Sequence, residues 1–246
     1  MTDIFVVNLE HSVERKEYIS AQLDSMPVKY EMFPAVNGHE SRLSILDMYD
    51  DGLSQAYRSK SLTKGQIGCY ASHYLLWQKC VELNKPIIVI EDDIAIDKKR
   101  FIEFYDLVPE LDSKYEFVRL SAHRRRKARL TTIETIGNLS IHRASKGHMS
   151  TMGYFLTPNG AKKFLKYSTA WYMAVDIYMD RFWIHGAEPF GLEPPCVSED
   201  IHFESDIGYE KNASRSLSGR LRREIFNLSE TTKRAVHNIK FRYYNR

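Results

Sequence analysis

The sequence predicts an α/β protein, a sheet flanked by helices and followed by a basic helical tail. Three observations carry that prediction. Ile4–Leu9, a helix-patterned stretch from Val13 to about Ser25, and Lys29–Phe33 follow one another at βαβ spacing. Ile87-Ile88-Val89-Ile90 is an unbroken β-branched run, the pattern of a strand buried on both faces of a parallel sheet. From Lys211 onward ten bases stand against two acids, in a chain whose net charge is only +3.

With 246 residues and 43% hydrophobic content the chain can bury one sizeable core. The expected organisation is one domain over residues 1–208 and a basic amphipathic tail over 209–246. Met1-Thr2-Asp3 carries an acid and the apolar run Ile4–Val7 is too short for a signal peptide. No run is long enough to span a bilayer. Cys69, Cys80 and Cys196 show neither a CxxC pair nor zinc spacing. On one helix Cys69 and Cys80 would stand about 16 Å apart, too far for a disulfide. A reducing, cytoplasmic setting is therefore expected. The tail's surplus of positive charge leaves the body mildly acidic and implies an anionic partner, either membrane surface or nucleic acid.

Taken in order, Ile4–Leu9 is the first strand. Ser12 is placed to cap the helix after it, with Tyr18, Ile19 and Leu23 on the apolar face. Lys29–Phe33 is the second strand, stopped by Pro34 and the Asn37-Gly38 turn. Residues 39–62 lack periodicity and read as loop and short helix. Thr63 with Gln66 forms a capping box for a helix to about Leu83, with Ile67, Ala71, Tyr74, Leu75 and Gln78 at helical spacing. That helix also carries Ser72-His73, where a histidine is more often a packed structural residue than a catalyst. After the central strand come a helix from Lys98 to about Leu107, a short strand Phe117–Leu120, and a hairpin of Thr131–Ile136 and Leu139–Arg143 around Gly137-Asn138. Thr151–Leu156 is a further strand, and Thr157-Pro158 opens a helix with an N-cap and an N1 proline. Gly191–Pro195 and the polar segment to Gly208 read as an ordered loop closing over a site. From Ser216, the residues Leu217, Leu221, Ile225, Leu228, Val236 and Ile239 fall near one stripe of a basic helix. Such a helix suits an anionic membrane surface, or packing on the protein's own core.

The chemistry centres on the end of the β-branched run, where the chain enters Glu91-Asp92-Asp93. On an extended chain Glu91 and Asp93 project to one side, roughly 6–7 Å apart. Carboxylates that close repel unless a cation sits between them or one takes a proton. Mg²⁺ or Mn²⁺ suits carboxylates that share phosphate oxygens, and the end of a buried strand is where open α/β sheets bind ligands. The plain alternative is an acidic turn. Asp176 and Asp180 lie one helical turn apart, as a polar face or, if that face meets a pocket, as a source of a general base. His123–Arg129 is a dense basic run, either a solvated loop or a grip on phosphate groups.

Several segments, in order, carry a resemblance. They are Val7-Asn8-Leu9 with Ser12, Glu14 and Arg15; Pro34-Ala35-Val36-Asn37-Gly38; the stretch Leu62–His73, containing Gly65-Gln66-Ile67-Gly68-Cys69 and Ser72-His73, with Trp77; and Ile90-Glu91-Asp92-Asp93. Thr151-x-Gly153-Tyr154 and Val175-Asp176 fit more loosely. Together they resemble glycosyltransferase family 25, bacterial lipooligosaccharide-biosynthesis enzymes whose relatives include collagen galactosyltransferases. The resemblance spans roughly residues 4–207 and leaves the tail outside. Gln66 stands where the family usually has Glu, and Asn37 where it has Asp.

The resemblance implies a GT-A-like (Rossmann-like) mixed sheet flanked by helices, a nucleotide-sugar donor and a divalent metal, Mn²⁺ or Mg²⁺. It also implies inverting transfer of a hexose, most often galactose from UDP-galactose, to a lipooligosaccharide acceptor. On these residues, Asp93 would hold the metal with Glu91. Asn8, Arg15, Glu91, Asp92, Ser72 and His73 would surround the donor, the last two organising the pocket. Thr151, Gly153 and Tyr154 would line the sugar or acceptor site. Asp176 would be the catalytic base with Asp180 behind it, and His202 a further metal ligand. The tail would hold the enzyme on the cytoplasmic face of the inner membrane.

A glucosyltransferase of the same family is the nearest alternative. A nucleotidyltransferase would carry a glycine-rich phosphate loop near the first strand, and Asn8–Arg15 has no glycine. A basic-tailed nucleic-acid-binding protein would show aromatic repeats or a helix-turn-helix pattern. Neither is present, so no nucleic-acid partner is expected.

Overall fold

The chain opens as predicted: β1 (Asp3–Asn8) lies between β2 (Tyr30–Pro34) and β3 (Ile87–Glu91), parallel to both, with α1 (Val13–Asp24) as the first crossover. The structure is a computed structural model that describes residues 2–40, 42–125, 127–200, 203 and 217–244. On its other side β3 runs antiparallel to β8 (Gly153–Leu156), so the parallel surroundings expected of the β-branched run are in fact mixed. The run is unbroken because both faces are covered, whatever the strand direction. Ile88 and Ile90 pack with Ile19 and Leu23 of α1 and with Phe101 and Phe104 of α4 (Lys98–Leu111). Ile87 and Val89 face the opposite layer, with Tyr70 and Trp77 of α3 (Lys64–Leu83) and Phe164 of α5 (Pro158–Tyr167). Each such buried side chain contributes about 1.5–3 kcal/mol.

Beyond β8 the sheet continues through β5 (Phe117–Arg119), β9 (Phe190–Glu193), β7 (Leu139–Ala144) and β6 (Leu130–Ile136), giving the order β2-β1-β3-β8-β5-β9-β7-β6. A two-stranded sheet of β4 (Ile94–Ile96) and β10 (Val197–Glu199) lies just past the acidic triplet. This is the mixed α/β architecture expected from the resemblance.

Residues 39–62 are loop and short helix as expected, with a 3₁₀ turn, Ser44–Met48, and α2 (Asp51–Arg58), capped by Asp50 accepting from the Leu53 N–H at 2.8 Å. Two local expectations change. Helix α4 runs one turn past Leu107 because Pro109 loses only its own N–H bond, and the Asp112 N–H still reaches the Val108 carbonyl at 2.9 Å. Gly191 does not begin a loop: it lies inside β9, where a Cβ would collide with the imidazole of His148. Short helices α6 (Val175–Met179) and α7 (Phe182–His185) follow α5 in the chain. Most of the polar segment before Gly208, His202 included, lies outside the described residues.

The tail forms α8 (Leu217–Tyr244), which packs on α2 and α7. It docks with side chains other than the predicted stripe. Glu230 makes a two-point ion pair with Arg181 at 2.5 and 3.0 Å. Phe226 packs against Tyr57, and Asn238 accepts from Arg143 at 2.9 Å. The stripe itself faces outward, with Leu217 at 82%, Leu221 at 63%, Leu228 at 68% and Ile239 at 66% exposure.

Candidate active site

The acidic triplet ends β3 at the rim of a cavity of about 390 Å³. Its walls come from β1 and the turn after it (Val7, Leu9, His11), from Arg15 at the start of α1, from residues 35–40, from one face of α3 (Gly65, Cys69, Ser72, His73), and from Glu91, Asp92 and Asp93. The three acids have different surroundings. Glu91 accepts from Thr151 Oγ1 at 2.5 Å and faces His73 Nε2 at 3.6 Å. Burial opposes its charge, but His73, Thr151 and Arg119 outweigh it and hold the carboxyl below its usual range. Asp92 is buried, accepts from Asn8 Nδ2 at 2.6 Å, and meets Arg15 Nη1 at 3.4 Å. Burial still leaves its carboxyl raised.

Asp93 has the least compensation. Burial first, then Glu91, push its carboxyl up to about 7, against the pull of Arg15 at 3.5 Å. A group so poised gains by meeting a cation, and the oxygen donors of Asp93 and Glu91 fit a hard divalent ion. Strand β10 passes beside this turn, where the Asp200 N–H donates to the Asp93 carbonyl at 3.3 Å and Tyr18 donates to the Asp200 carboxylate.

The opposite wall depends on two glycines. A Cβ on Gly38 would collide with the Lys64 carbonyl, and one on Gly68 with the Val36 carbonyl, so residues 35–38 lie directly on the first turns of α3. Ser72 fixes the contact by accepting from the Val36 N–H and donating to the Gly68 carbonyl, both at 2.8 Å. The capping box of Thr63 and Gln66 starts this helix as predicted. His73 is fully buried, with Nδ1 2.9 Å from the Tyr154 hydroxyl, which also accepts from Trp77 at 3.2 Å.

The predicted site residues therefore separate. Arg15, Ser72, His73, Glu91, Asp92 and Asp93 share the cavity, and Asn8 and Thr151 hold its acids from behind. Gly153 and Tyr154, expected to line a sugar pocket, are interior instead. Tyr154 is wholly buried under His73, and a Cβ on Gly153 would stand 2.9 Å from Val197 Cγ2. Their alternation in a strand covered on both sides turns neither toward solvent.

Asp176 and Asp180 also differ from each other. Asp180, only 3% exposed, accepts from the His148 and Met149 N–H groups at 2.9 and 3.0 Å and from Arg125 at 3.0 Å, with Arg119 Nη2 at 3.5 Å. The 146–149 turn wraps it so closely that a Cβ on Gly147 would overlap the carboxylate. With its acceptor sites filled, Asp180 anchors this turn and stands as no base. Arg125, from the basic run, is thereby committed to Asp180, and Arg124 pairs with Glu199. Asp176 is half-buried, and burial, then Asp180, raise its carboxyl. Burial first, then the charges of Glu91, Asp176 and Asp93, push the Cys69 thiol up, although Asp176 itself is not among the residues lining the cavity.

Cys69, which stands in the sequence within a motif, and Arg119 are two residues to which the sequence assigns no site role. The i, i+4 spacing of Cys69 and His73 was the available signal for the first. Arg119 offered none, because nothing local marks an arginine that is buried in a strand.

A family model described as glycosyltransferase family 25 (LPS biosynthesis protein) matches residues 1–179. A glycosyltransferase 25 family member of Aedes aegypti is 28% identical over 68% of this chain and 28% of its own length. Human procollagen galactosyltransferase 2 is 28% identical over 65% of this chain and 27% of its own. Procollagen galactosyltransferase 1-B of Xenopus laevis is 23% identical over 87% of this chain and 38% of its own. The chain thus spans less than a third of the first of these relatives. The ordered motifs, the mixed sheet and the family match agree, and the chain belongs to glycosyltransferase family 25.

Proposed function

We propose that the cavity at the end of β3 binds a nucleotide sugar and that the protein transfers its hexose, galactose from UDP-galactose, to a hydroxyl of a lipooligosaccharide. The observation that carries this reading is the Glu91-Asp92-Asp93 triplet gathered at the rim of one cavity, where burial and Glu91 push the Asp93 carboxyl up to about 7. Galactose is favoured by the names of the animal relatives, and the lipooligosaccharide acceptor by the family's description. Glucose is the alternative hexose.

Asp93 and Glu91 would hold Mn²⁺ or Mg²⁺, which when bound supplies positive charge to the departing diphosphate. Asn8 and Arg15 keep Asp92 in place, and Arg15 also reaches toward Asp93. Ser72 and His73 shape the wall opposite. Asp176 is the general base: it takes the hydroxyl proton as the acceptor oxygen bonds to the anomeric carbon and the nucleoside diphosphate leaves with the electron pair. Its raised proton affinity suits that task.

The domain extends to residue 208, and the tail holds the protein on the cytoplasmic face of the inner membrane. The outward stripe of α8, flanked by Arg220, Arg222, Arg223, Lys233 and Lys240, has the chemistry for anionic lipid. Vesicles containing anionic lipid should retain the protein, and Leu221→Asp with Leu228→Asp should abolish retention; equal retention of both would sink the membrane assignment.

The transferase reading is tested by donor hydrolysis with a panel of nucleotide sugars, with Mn²⁺ or with chelator, using wild type and Asp93→Asn. Metal-dependent release of nucleoside diphosphate from one donor, lost in the variant, is expected. Absence of both turnover and calorimetric nucleotide binding would overturn it.

A further inference from the structure

Inside the cavity a second group of donors converges, distinct in chemistry from the Asp93 carboxylate. Cys69 and His73 lie one turn apart on α3, and Cys69 Sγ, a ring nitrogen of His73 and a carboxylate oxygen of Glu91 all lie within 4.8 Å of one another. His73 is wholly buried, and among the described residues its Nε2 has no hydrogen-bond partner. It aims at Glu91 Oε1 across 3.6 Å, too long for a hydrogen bond. A polar ring nitrogen left so in the interior is costly unless it meets a partner.

We infer that Cys69, His73 and Glu91 form a site for a thiophilic divalent cation, Zn²⁺, inside the donor cavity. The nitrogen–oxygen spacing of 3.6 Å suits it, because N and O ligands on a tetrahedral zinc stand about 3.3 Å apart at bond lengths of about 2.0–2.1 Å. The outer contact suits it too. A metal on Nε2 selects the imidazole tautomer that donates Nδ1–H, and the Tyr154 hydroxyl is 2.9 Å away to accept. All three side chains line the cavity, so water or a ligand oxygen there would complete the coordination. Mg²⁺ and Mn²⁺ favour oxygen donors, whereas a thiolate with an imidazole selects zinc.

Glu91 is common to both groups, which gives the site a consequence. Zinc on Cys69 and His73 withdraws the carboxylate that Asp93 would share with a harder ion, so Zn²⁺ and Mn²⁺ should antagonise each other. The site itself rests on the cavity's geometry and not on the transferase reading, and its test needs no nucleotide sugar.

The full chain is titrated with Zn²⁺ by calorimetry and with Co²⁺ as an optical probe, comparing wild type, Cys69→Ser and Asp93→Asn. Wild type should bind Zn²⁺ and show a thiolate-to-cobalt charge-transfer band. Cys69→Ser should lose the band and bind Zn²⁺ at least about tenfold more weakly, while Asp93→Asn keeps both. Cys69→Ala serves if the serine variant fails to fold. A wild-type protein without the band, or a Cys69 variant that retains it, would overturn the site.

Discussion

Asp93 and Asp180 are the same residue type near the same sheet, and their surroundings have made them opposites. Asp180 has two backbone N–H donors and Arg125 in hydrogen bonds, with the Arg119 guanidinium alongside. Asp93 faces two other acids with Arg15 as its nearby cation. The count of donors around a carboxylate, more than its burial, separates an acid that holds the fold from one available to a ligand. The same difference explains why the cation-rich surroundings of Asp180 are closed while the acid-rich turn at Asp93 opens on a cavity.

The comparison is broken most directly at Asp180. Asp180→Asn leaves the buried Arg119 without its nearest counter-charge and loosens the 146–149 turn, at a cost of about 3–5 kcal/mol. Urea denaturation measures it, and a loss below about 1 kcal/mol would remove the anchoring role. Asp93→Asn should do the reverse. Folding is kept, because the substitution removes repulsion, while metal-dependent turnover falls about 100-fold or more. A variant at Asp93 that melts early with turnover per folded molecule intact would erase the distinction.

The first region was legible in the sequence and the second was not. Glu91-Asp92-Asp93 sits at the end of an unmistakable buried strand, and contiguous acids announce themselves. Ser72-His73 was legible as a pair, and so was its structural bias. Asp180 looked equivalent to Asp176 because helical spacing puts them on one face; what separates them comes from His148, Met149 and Arg125, 31 to 55 residues away. Tyr154 was misplaced for a related reason: a strand motif shows alternation but not which sides are covered. The apolar stripe of α8 was read correctly as a stripe, whereas its docking through Phe226, Glu230 and Asn238 depends on Arg181 and Arg143, which no local pattern links to it.

A smaller effect sharpens the contrast at the cavity wall. Ser72→Ala strands the Val36 N–H against α3, a loss of about 1–3 kcal/mol. Because residues 35–40 line the cavity, donor KM should rise more than kcat falls. An unchanged KM with lower stability would reduce Ser72 to a packing residue.

The smallest effect separates the two regions by pH. Near Asp180, His142 and His148 face each other, Nε2 to Nε2 at 3.2 Å, with the His123 ring 4.9 Å from His148. Burial, then His123, lower His142 to about 4. Between 6.5 and 4 the unfolded chain therefore takes up a proton that the folded chain refuses, and stability falls as pH drops through that window. For His142 alone the loss from pH 6.5 to 5.5 is about 1 kcal/mol, and His148, lowered by burial and Arg119, adds in the same direction. Asp93 has the opposite sign. Its folded carboxyl holds a proton up to about 7 that the unfolded chain releases near 3.8, so its contribution is lost as pH rises through that interval. Melting temperature against pH should then show two limbs with separate owners. His142→Gln should flatten the acid limb and Asp93→Asn the limb toward neutrality. Mn²⁺ should stabilise wild type more at pH 8 than at pH 5.5, because only the ionised carboxyl receives it. If Asp93→Asn flattened the acid limb instead, the assignment of the two limbs to these two regions would fall.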